Sequence, residues 1–364
     1  MNRSAIAATL GCGALALACN GILGLQEPTI DDTINSDGAT TDAPSNTDGP
    51  SGDVIASDSG LLPLVSGRIR RIAVDGSFVY YTMPFTPSTV AKVAKDGSGQ
   101  PVTLAGDVAG GSHPDQIQVD DANIYWITSA GVRQCDKVAC SSVIALVSEN
   151  SPYNVYGIAV DTSTIYFLDV ANGSAIRSVQ KGVTLGTVST LAPESALCAS
   201  INAIKLVSGY VYYTCDDGPV GRVSTANGTV QVLSDGSAPA STFGLTISTS
   251  TVFYTLFSQP GAVMSLPSSG VDAGAATVAS NVANGFAIDM DATHLYWTAM
   301  GAALDGSKGT VSRCTIGSCD GTKSDLVTDL HAPTDVHVDG AVLFYAVFGL
   351  NSGQGEGVYR LVLP

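Results

Sequence analysis

A unit of 41 to 48 residues that occurs seven times constrains the fold of this chain more than any other feature. Each copy has two apolar residues separated by one residue, then a turn, then an aromatic residue, as in the stretch Ile117–Trp126. This alternation predicts β-strands, because successive side chains of a strand point to opposite faces of a sheet. The aromatic residues that mark the copies are Tyr80, Tyr125, Tyr166, Tyr212, Phe253, Tyr296 and Phe344. Five positions before them stand Asp75, Asp120, Asp161, Val207, Ser248, Asp291 and Asp339.

Two further strand-like segments follow in most copies, for example Val132–Cys135 and Ser142–Val147 in the second copy. Four short strands with a period of about 40–45 residues are typical of a β-propeller blade. We therefore predict an all-β fold over residues 61–364, a seven-bladed β-propeller of four-stranded antiparallel blades. The seventh copy supplies three strands, and residues 61–66 match the pattern of a fourth. We expect this N-terminal strand to complete the last blade, since ring closure removes exposed sheet edges.

The beginning of the sequence has the features of an export signal. Arg3 precedes an apolar stretch, Ala5–Ala18, that is too short to span a membrane. The stretch Leu15–Cys19 resembles a bacterial lipobox, in which the cysteine after the cleavage site carries lipid. We predict a lipoprotein signal peptide over residues 1–18 and a membrane anchor at Cys19. Lipidation at Cys12 and cleavage without lipidation are the alternatives.

Residues 19–60 predict a disordered acidic tether between the lipid and the folded domain. Asp, Ser, Thr, Gly and Pro dominate from residue 26 onward, and no Lys or Arg occurs between Arg3 and Arg68. Such a segment cannot bury enough apolar surface to offset the entropy lost on ordering. An acidic cation-binding tail is the competing interpretation, but the Asp spacing lacks the pattern of a calcium loop. Asn20 after the predicted lipid site favours the outer membrane of a Gram-negative bacterium, on its periplasmic or surface side.

The net charge of −16 argues against nucleic acid as a partner. Binding to nucleic-acid phosphates needs clustered Lys and Arg, and the sequence has no such cluster.

Six cysteines lie in the repeat region, and their positions favour three disulfides in an oxidising compartment. Two pairs have the spacing C-x4-C across the turn between the third and fourth strands, Cys135 with Cys140 and Cys314 with Cys319. Cys198 and Cys215 flank the first hairpin of the fourth copy. A zinc site from the two C-x4-C pairs is the alternative, and it would require the second and sixth copies to meet.

The unit I-x-V-D-x-x-x-I-Y-W resembles the repeat of YWTD and NHL-type propellers, which have six or seven blades. Tyr125–Thr128 and Tyr296–Ala299 come closest, although both lack the final Asp of a YWTD motif. The resemblance implies that the Asp and the aromatic residues are structural, turning the hairpin and packing between blades. Because Val207 and Ser248 replace the Asp, we expect blades 4 and 5 to turn differently. Exported bacterial lipoproteins with such propellers resemble adaptors or surface binding proteins, which implies a binding function at the level of fold analogy.

Candidate binding residues lie at or near the loops that join fourth to first strands and second to third strands, which share one face of a propeller. We predict a binding face there, and its residues are Phe85, His113, Glu149, Glu194, Phe257, Met300, His331 and Phe348. The aromatic members either form a partner surface or pack beneath the loops, and the sequence leaves both open.

The sequence contains no nucleophile elbow, no HExxH helix and no phosphate-binding loop. We assign no catalytic residue and no cofactor, and leave a divalent cation open. Lactonase-type propellers hold such an ion with Glu, Asn and Asp, and the single matches here are Glu149, Glu194, Asn150, Asn154 and Asn202. The leading hypothesis is a binding or protein-interaction module for a protein, peptide or glycan. The alternatives are a metal-dependent lactonase- or lyase-like enzyme and a structural envelope protein.

Overall fold

The computed structural model describes residues 62–85, 87–106, 113–129, 131–148, 150–234, 240–269, 274–303, 306–349 and 355–364. These residues belong to one compact unit, Ala56–Pro364. They form seven four-stranded antiparallel sheets, which confirms the predicted seven-bladed β-propeller. The predicted signal peptide, Cys19, the predicted tether and Glu149 lie outside the described residues.

The strands are numbered along the chain, and the first, β1 (Val65–Ser66), belongs to the last blade. Blade 1 contains β2 (Arg71–Val74), β3 (Phe78–Met83), β4 (Thr89–Ala94) and β5 (Val102–Gly106). Blade 2 contains β6 (Ile117–Val119), β7 (Asn123–Ile127), β8 (Val132–Asp136) and β9 (Ile144–Val147). Blade 3 contains β10 (Val155–Val160), β11 (Thr164–Asp169), β12 (Ala175–Gln180) and β13 (Ser189–Ala192). A 3₁₀ turn, η1 (Glu194–Ala196), leads to the next blade.

Blade 4 contains β14 (Ile201–Val207), β15 (Tyr210–Cys215), β16 (Val220–Ser224) and β17 (Val230–Ser234). Blade 5 contains β18 (Ser241–Ile247), β19 (Thr251–Phe257), β20 (Ala262–Pro267) and β21 (Ala276–Ser280). Blade 6 contains β22 (Gly285–Met290), β23 (His294–Ala299), β24 (Gly309–Thr315) and β25 (Ser324–Leu330), with the short helix α1 (Cys319–Thr322) before β25. Blade 7 contains β26 (Pro333–Asp339), β27 (Val342–Val347), β28 (Gly357–Val362) and β1. Among the described residues, no helix is long and apolar enough to cross a membrane.

The N-terminal strand closes the ring as predicted, although it is shorter than residues 61–66. Val65 and Ser66 of β1 pair antiparallel with Val358 and Gly357 of β28. The amide of Leu64 adds a hydrogen bond of 2.7 Å to the carbonyl of Val358. The first strands of the seven blades contact one another in sequence, and β26 contacts β2, so these strands surround a central axis.

The hydrophobic core is divided among the seven interfaces between blades. Each buried cluster combines residues of two neighbouring blades; one of them joins Tyr80 and Val90 of blade 1 to Trp126 and Ile124 of blade 2. The seven marker aromatics are all at most 5 % exposed. A single blade could not bury both faces of its sheet, and stacking against its neighbours does so.

The Asp after the first strand turns the hairpin in blades 1, 2, 3 and 6. In blade 2, Asp120 accepts hydrogen bonds at Oδ1 from the amides of Ala122 (2.9 Å) and Asn123 (2.8 Å). Its Oδ2 accepts a hydrogen bond of 2.7 Å from the hydroxyl of Tyr125. Blade 4 turns differently, as expected, because Ser208 and Gly209 have positive φ angles of 51° and 77°. The expectation was wrong for blade 5, because the hydroxyl oxygen of Ser248 accepts a hydrogen bond of 3.0 Å from the amide of Thr251, as the Asp does three positions ahead in other blades.

The same Asp also connects neighbouring blades on one side of the ring. Lys181 of blade 3 donates to Asp120 Oδ2 at 2.7 Å, and Lys137 of blade 2 donates to Asp75 Oδ2 at 2.9 Å. Lys95 of blade 1 pairs in the same way with Asp339 of blade 7. Three successive interfaces therefore carry an Asp–Lys latch.

Candidate functional site

A cavity of about 260 Å³ lies on the axis and is lined by residues of the first strands. The repeat explains which side chains form the wall of this cavity. The residue between the two alternating apolar residues of each first strand lies on the opposite face, and most copies of it line the cavity. We call the end where the first strands begin the upper end. At this end lie the loops from fourth to first strands and from second to third strands, where we predicted a binding face.

The upper part of the cavity differs between its two sides. One repeat position in the first strand shows this difference; it lies four residues before the Asp that marks each copy, or before the residue that replaces that Asp. At this position blades 7, 1 and 2 carry Asp335, Arg71 and Gln116. Blades 3 to 6 carry Gly157, Ala203, Gly244 and Ala287 at this position. The cavity therefore has a polar side, and the opposite side carries only small residues at this position.

Two aromatic rings lie on the side with the small residues. Phe243 and Phe286 line the cavity with ring centroids 4.8 Å apart, and Phe257 lies 5.2 Å from Phe243. The guanidinium of Arg71 lies 5.1 Å from the ring centroid of Phe286. A polar group and an apolar surface therefore adjoin at the upper end, as is typical of small-molecule sites.

Arg71 and Asp335 also connect blade 1 to blade 7. Arg71 Nη1 donates to the carbonyl oxygen of Thr334 at 2.8 Å and to that of Arg70 at 3.3 Å. Asp335 accepts hydrogen bonds from the amide of Ile72 (2.9 Å) and from that of Val336 (3.0 Å). Backbone groups thus hold both side chains in place, as a preformed site requires.

A network of charged side chains lines the lower part of the cavity. Lys205 Nζ lies 3.5 Å from Asp289 Oδ1 and donates to Thr246 Oγ1 at 3.1 Å. Asp289 Oδ2 accepts a hydrogen bond of 3.1 Å from the amide of Val338 and lies 3.5 Å from His337 Nδ1. The network connects four consecutive blades, from blade 4 to blade 7.

Part of the predicted binding face forms a cluster around Arg68. Its guanidinium lies 4.5 Å from the ring centroid of Phe85 and 4.6 Å from that of Phe348. Burial lowers the pKa of Arg68 from its usual value, partly offset by the charge of Glu356. His113 is exposed, with its ring 6.1 Å from that of Phe85.

The other residues of the predicted face lie apart from this cluster. Phe348 is fully buried and Met300 is 6 % exposed, so these two side chains pack beneath the loops rather than at the surface. Phe257 belongs to the aromatic group beside the cavity. The Nδ1 atom of His331 is buried without a hydrogen-bond partner among the described residues. Glu194 is 43 % exposed at its side chain and lies 3.9 Å from Arg177 Nη2.

The cysteines form the three predicted disulfides, Cys135 with Cys140, Cys198 with Cys215, and Cys314 with Cys319. Their bonding excludes a zinc site from the C-x4-C pairs in this oxidised form. Within the described part of the chain, the one group of three potential metal-binding side chains is Cys198, Cys215 and Asp217. Its two sulfur atoms are consumed by the disulfide, so this group has no thiolates to offer a metal.

Asn202, noted above only as a single match to a lactonase-type metal site, lines the axial cavity. Sequence reasoning missed Arg71, Lys205 and Asp289, which line it as well. A partial signal was present in the unit I-x-V-D, because the residue between the apolar pair lies on the opposite face of the first strand. Arg71 does not occupy that position. At this position blades 2, 4, 6 and 7 carry Gln118, Lys205, Asp289 and His337.

Comparison with known proteins supports the fold alone. No protein-family model matches the chain, and no curated protein matches its sequence. Among solved structures, the WD40 β-propeller domain of Doa1 has a TM-score of 0.60 and 11 % identity, covering 83 % of this chain and 96 % of that one. The computationally designed Ika8 protein has a TM-score of 0.57 and 13 % identity, covering 84 % and 100 %.

The extracellular domain of the putative one component system BT4673 from B. thetaiotaomicron also has a TM-score of 0.57, with 12 % identity. The match covers 85 % of this chain and 39 % of that one, so this chain spans well under half of that protein's length. At these identities the likeness shows a shared β-propeller fold and nothing finer.

Proposed function

We propose that this protein is an exported binding module, anchored to the membrane by a lipid on Cys19, whose propeller takes up a ligand in its axial cavity. The three disulfides support export, because such bonds persist in oxidising compartments. The tether over residues 19–60 would let the propeller reach away from the membrane. The resemblance to YWTD and NHL-type propellers supports a binding role by analogy.

The observation that carries this proposal is that hydrogen bonds hold polar side chains of the cavity in fixed positions. The carboxylates of Asp335 and Asp289 each accept a hydrogen bond from a backbone amide of a neighbouring blade, which fixes their positions in the ring. The amide side chains of Gln116 and Gln118 line the same space. A preformed cavity with fixed polar groups beside aromatic rings is suited to recognising a ligand.

A second candidate function is an enzyme of the lactonase or lyase type. The observation that favours it is the pair of His337 and Asp289, since a carboxylate beside an imidazole can orient a general base. Lys205 in the same network would then stabilise negative charge that develops on a substrate. This candidate predicts that His337→Gln abolishes turnover while binding persists.

The test uses the lipidated full-length protein, purified from the envelope of the producing bacterium and analysed by mass spectrometry for bound molecules. We expect a molecule or partner peptide that co-purifies with the wild-type protein and is lost from Ala203→Phe, which fills the cavity. Ala226→Phe, at an exposed turn of the same blade, is the matched control. Melting temperatures establish that both variants are folded.

Recovery of the same molecules from wild type and Ala203→Phe would contradict binding in the cavity. The released molecule is then incubated with fresh protein. An unchanged molecule supports the binding module, and conversion to a product supports the enzyme.

A further inference from the structure

The guanidinium of Arg71 is held so that one edge remains available to a ligand. Its Nη1 nitrogen, which has two hydrogens, donates to the carbonyl oxygens of Thr334 and Arg70. The hydrogens of Nε and Nη2 form the other edge, a planar fork that matches the two oxygens of a carboxylate. Over the described residues, neither nitrogen has a hydrogen-bond partner, and Arg71 takes part in no salt bridge.

The other charged groups of the cavity are committed to one another or to the backbone. Both oxygens of Asp335 accept amide hydrogens, one from blade 1 and one from blade 7. Lys205 lies beside Asp289, which also accepts from Val338. Within the described structure, Arg71 is therefore the cation of the cavity whose Nε and Nη2 hydrogens are not used in hydrogen bonds. It also has no carboxylate at ion-pair distance.

The surroundings of the fork restrict the ligand further. Phe286 lies against the guanidinium, and Phe243 extends the apolar surface along the wall. The cavity volume of about 260 Å³ suits a small ligand. The two carboxylates of the cavity offset its two cations, so a singly charged anion is accommodated at less electrostatic cost than a phosphate dianion.

We propose that the cavity binds a small organic acid, whose carboxylate occupies the Nε–Nη2 fork of Arg71 and whose apolar or aromatic part lies against Phe243 and Phe286. This inference rests on the proposed binding function and names the class of ligand. The carboxylate belongs to a free small molecule or to the C-terminal residue of a peptide, and both have the same chemistry at the fork.

The experiment measures binding of defined probes to the full-length protein by titration calorimetry and ligand-observed NMR. Benzoate carries both the ring and the carboxylate, benzamide is its neutral counterpart, and acetate lacks the ring. We expect benzoate to bind about tenfold or more tightly than benzamide, since hydrogen bonds to charged groups are stronger than neutral ones. Acetate should bind more weakly than benzoate because it buries no ring. Hippurate, a benzoylated glycine, extends the comparison to a peptide-like C-terminus.

Two variants locate the binding. Arg71→Gln should lose at least about tenfold in affinity for benzoate and little for benzamide. Arg360→Gln, in the third strand of blade 7, is the matched control and should bind benzoate like wild type. Ala203→Phe should block benzoate and benzamide alike, which provides a second test if Arg71→Gln, lacking its bond to Thr334, is poorly folded.

Equal binding of benzoate and benzamide, or unchanged affinity in Arg71→Gln, would overturn the assignment of the fork. A dissociation constant for benzoate and hippurate weaker than ~10 mM would overturn the ligand class. Recovery of a cavity-bound molecule without a carboxylate from the envelope would then leave the binding function standing and refute this inference alone.

Discussion

Replacing Asp120 by Asn should destabilise the propeller measurably, because this carboxylate joins blade 2 to blade 3. It accepts hydrogen bonds from the amides of Ala122 and Asn123, from the hydroxyl of Tyr125 and from Lys181 of blade 3. In the Asn variant, the Nδ2 group would face the donors of Tyr125 and Lys181. The backbone turn would be kept, and the contact between blades would be lost.

The magnitude follows from the pKa of Asp120. Burial by itself would raise this pKa, but the hydrogen bonds from Lys181, Tyr125 and the two amides outweigh it and lower the pKa from 3.8 to about 2. A fall of this size corresponds to roughly 2 kcal/mol of interaction free energy. Because the side chain of Asp120 is 31 % exposed and water screens the pair, we expect a loss of about 1–2 kcal/mol.

The assay is urea unfolding of wild type, Asp120→Asn and Asp121→Asn at pH 7 and pH 3. Asp121 is exposed in the same turn, so its replacement removes the same charge without removing the latch. The folded-state pKa of Asp120 lies below the unfolded value, so its stabilisation is complete well above pH 4 and is lost as the pH falls toward 2. The difference between wild type and Asp120→Asn should therefore fall to about half by pH 3.

Two results would refute this reasoning. One is equal stability of Asp120→Asn and Asp121→Asn at pH 7. The other is a difference from wild type that does not shrink between pH 7 and pH 3. A cycle with Lys181→Met would then separate the bond between blades from the turn itself, with an expected coupling of about 0.5–1 kcal/mol.

Three further predictions concern ring closure, the disulfides and the lipid. Deleting residues 62–66 should lower the melting temperature of the whole propeller in one cooperative transition, since it exposes the edge of blade 7; an unchanged melting temperature would contradict closure by this strand. Replacing Cys198 and Cys215 by Ser should cost about 3 kcal/mol in urea unfolding by the chain-entropy argument for a loop of this length, and reduction of the wild type should reproduce part of that loss. Cys19→Ser should abolish incorporation of a labelled fatty acid and release the protein from membranes, whereas Cys12→Ser should leave both unchanged. Loss of the label in Cys12→Ser and not in Cys19→Ser would show that the lipid is attached to Cys12.

The uneven distribution of the Asp–Lys latches predicts which blades of the ring unfold locally most easily. The three Asp–Lys latches lie at the interfaces of blades 7 with 1, 1 with 2 and 2 with 3. Blade 4 has Val207 and blade 5 has Ser248 in place of the Asp. We expect amide hydrogens of blades 4 and 5 to exchange sooner than those of blades 1 and 2, which hydrogen-exchange mass spectrometry can measure.

Much of the fold could be predicted because its signals are local. The alternation in stretches such as Ile117–Trp126 specifies a strand, and a short carboxylate such as Asp120 specifies a turn, whatever the rest of the chain does. The fixed period of the copies then predicts a ring. Even the differing turn of blade 4 and the three cysteine pairs followed from deviations within single repeats.

The candidate site could be predicted only in part, because its members are far apart in the chain. Arg71, Lys205 and Asp289 each look like an ordinary polar residue of a strand when read in their own repeat. The predicted face contained Phe348 and Met300, whose burial depends on how loops of different blades pack together. Arg68, between Phe85 and Phe348, shows the same dependence.

The sequence alone thus determined the strands, most of the turns, the number of blades and the disulfide pairs, because each depends on residues within one repeat or on the period between repeats. Only the tertiary structure decided which polar residues face the axis together and which of their atoms are already bonded. Arg71 illustrates the physical reason. Closing the ring brings the carbonyl of Thr334 to its Nη1, 263 positions away in the chain, and that bond leaves the fork open to a ligand.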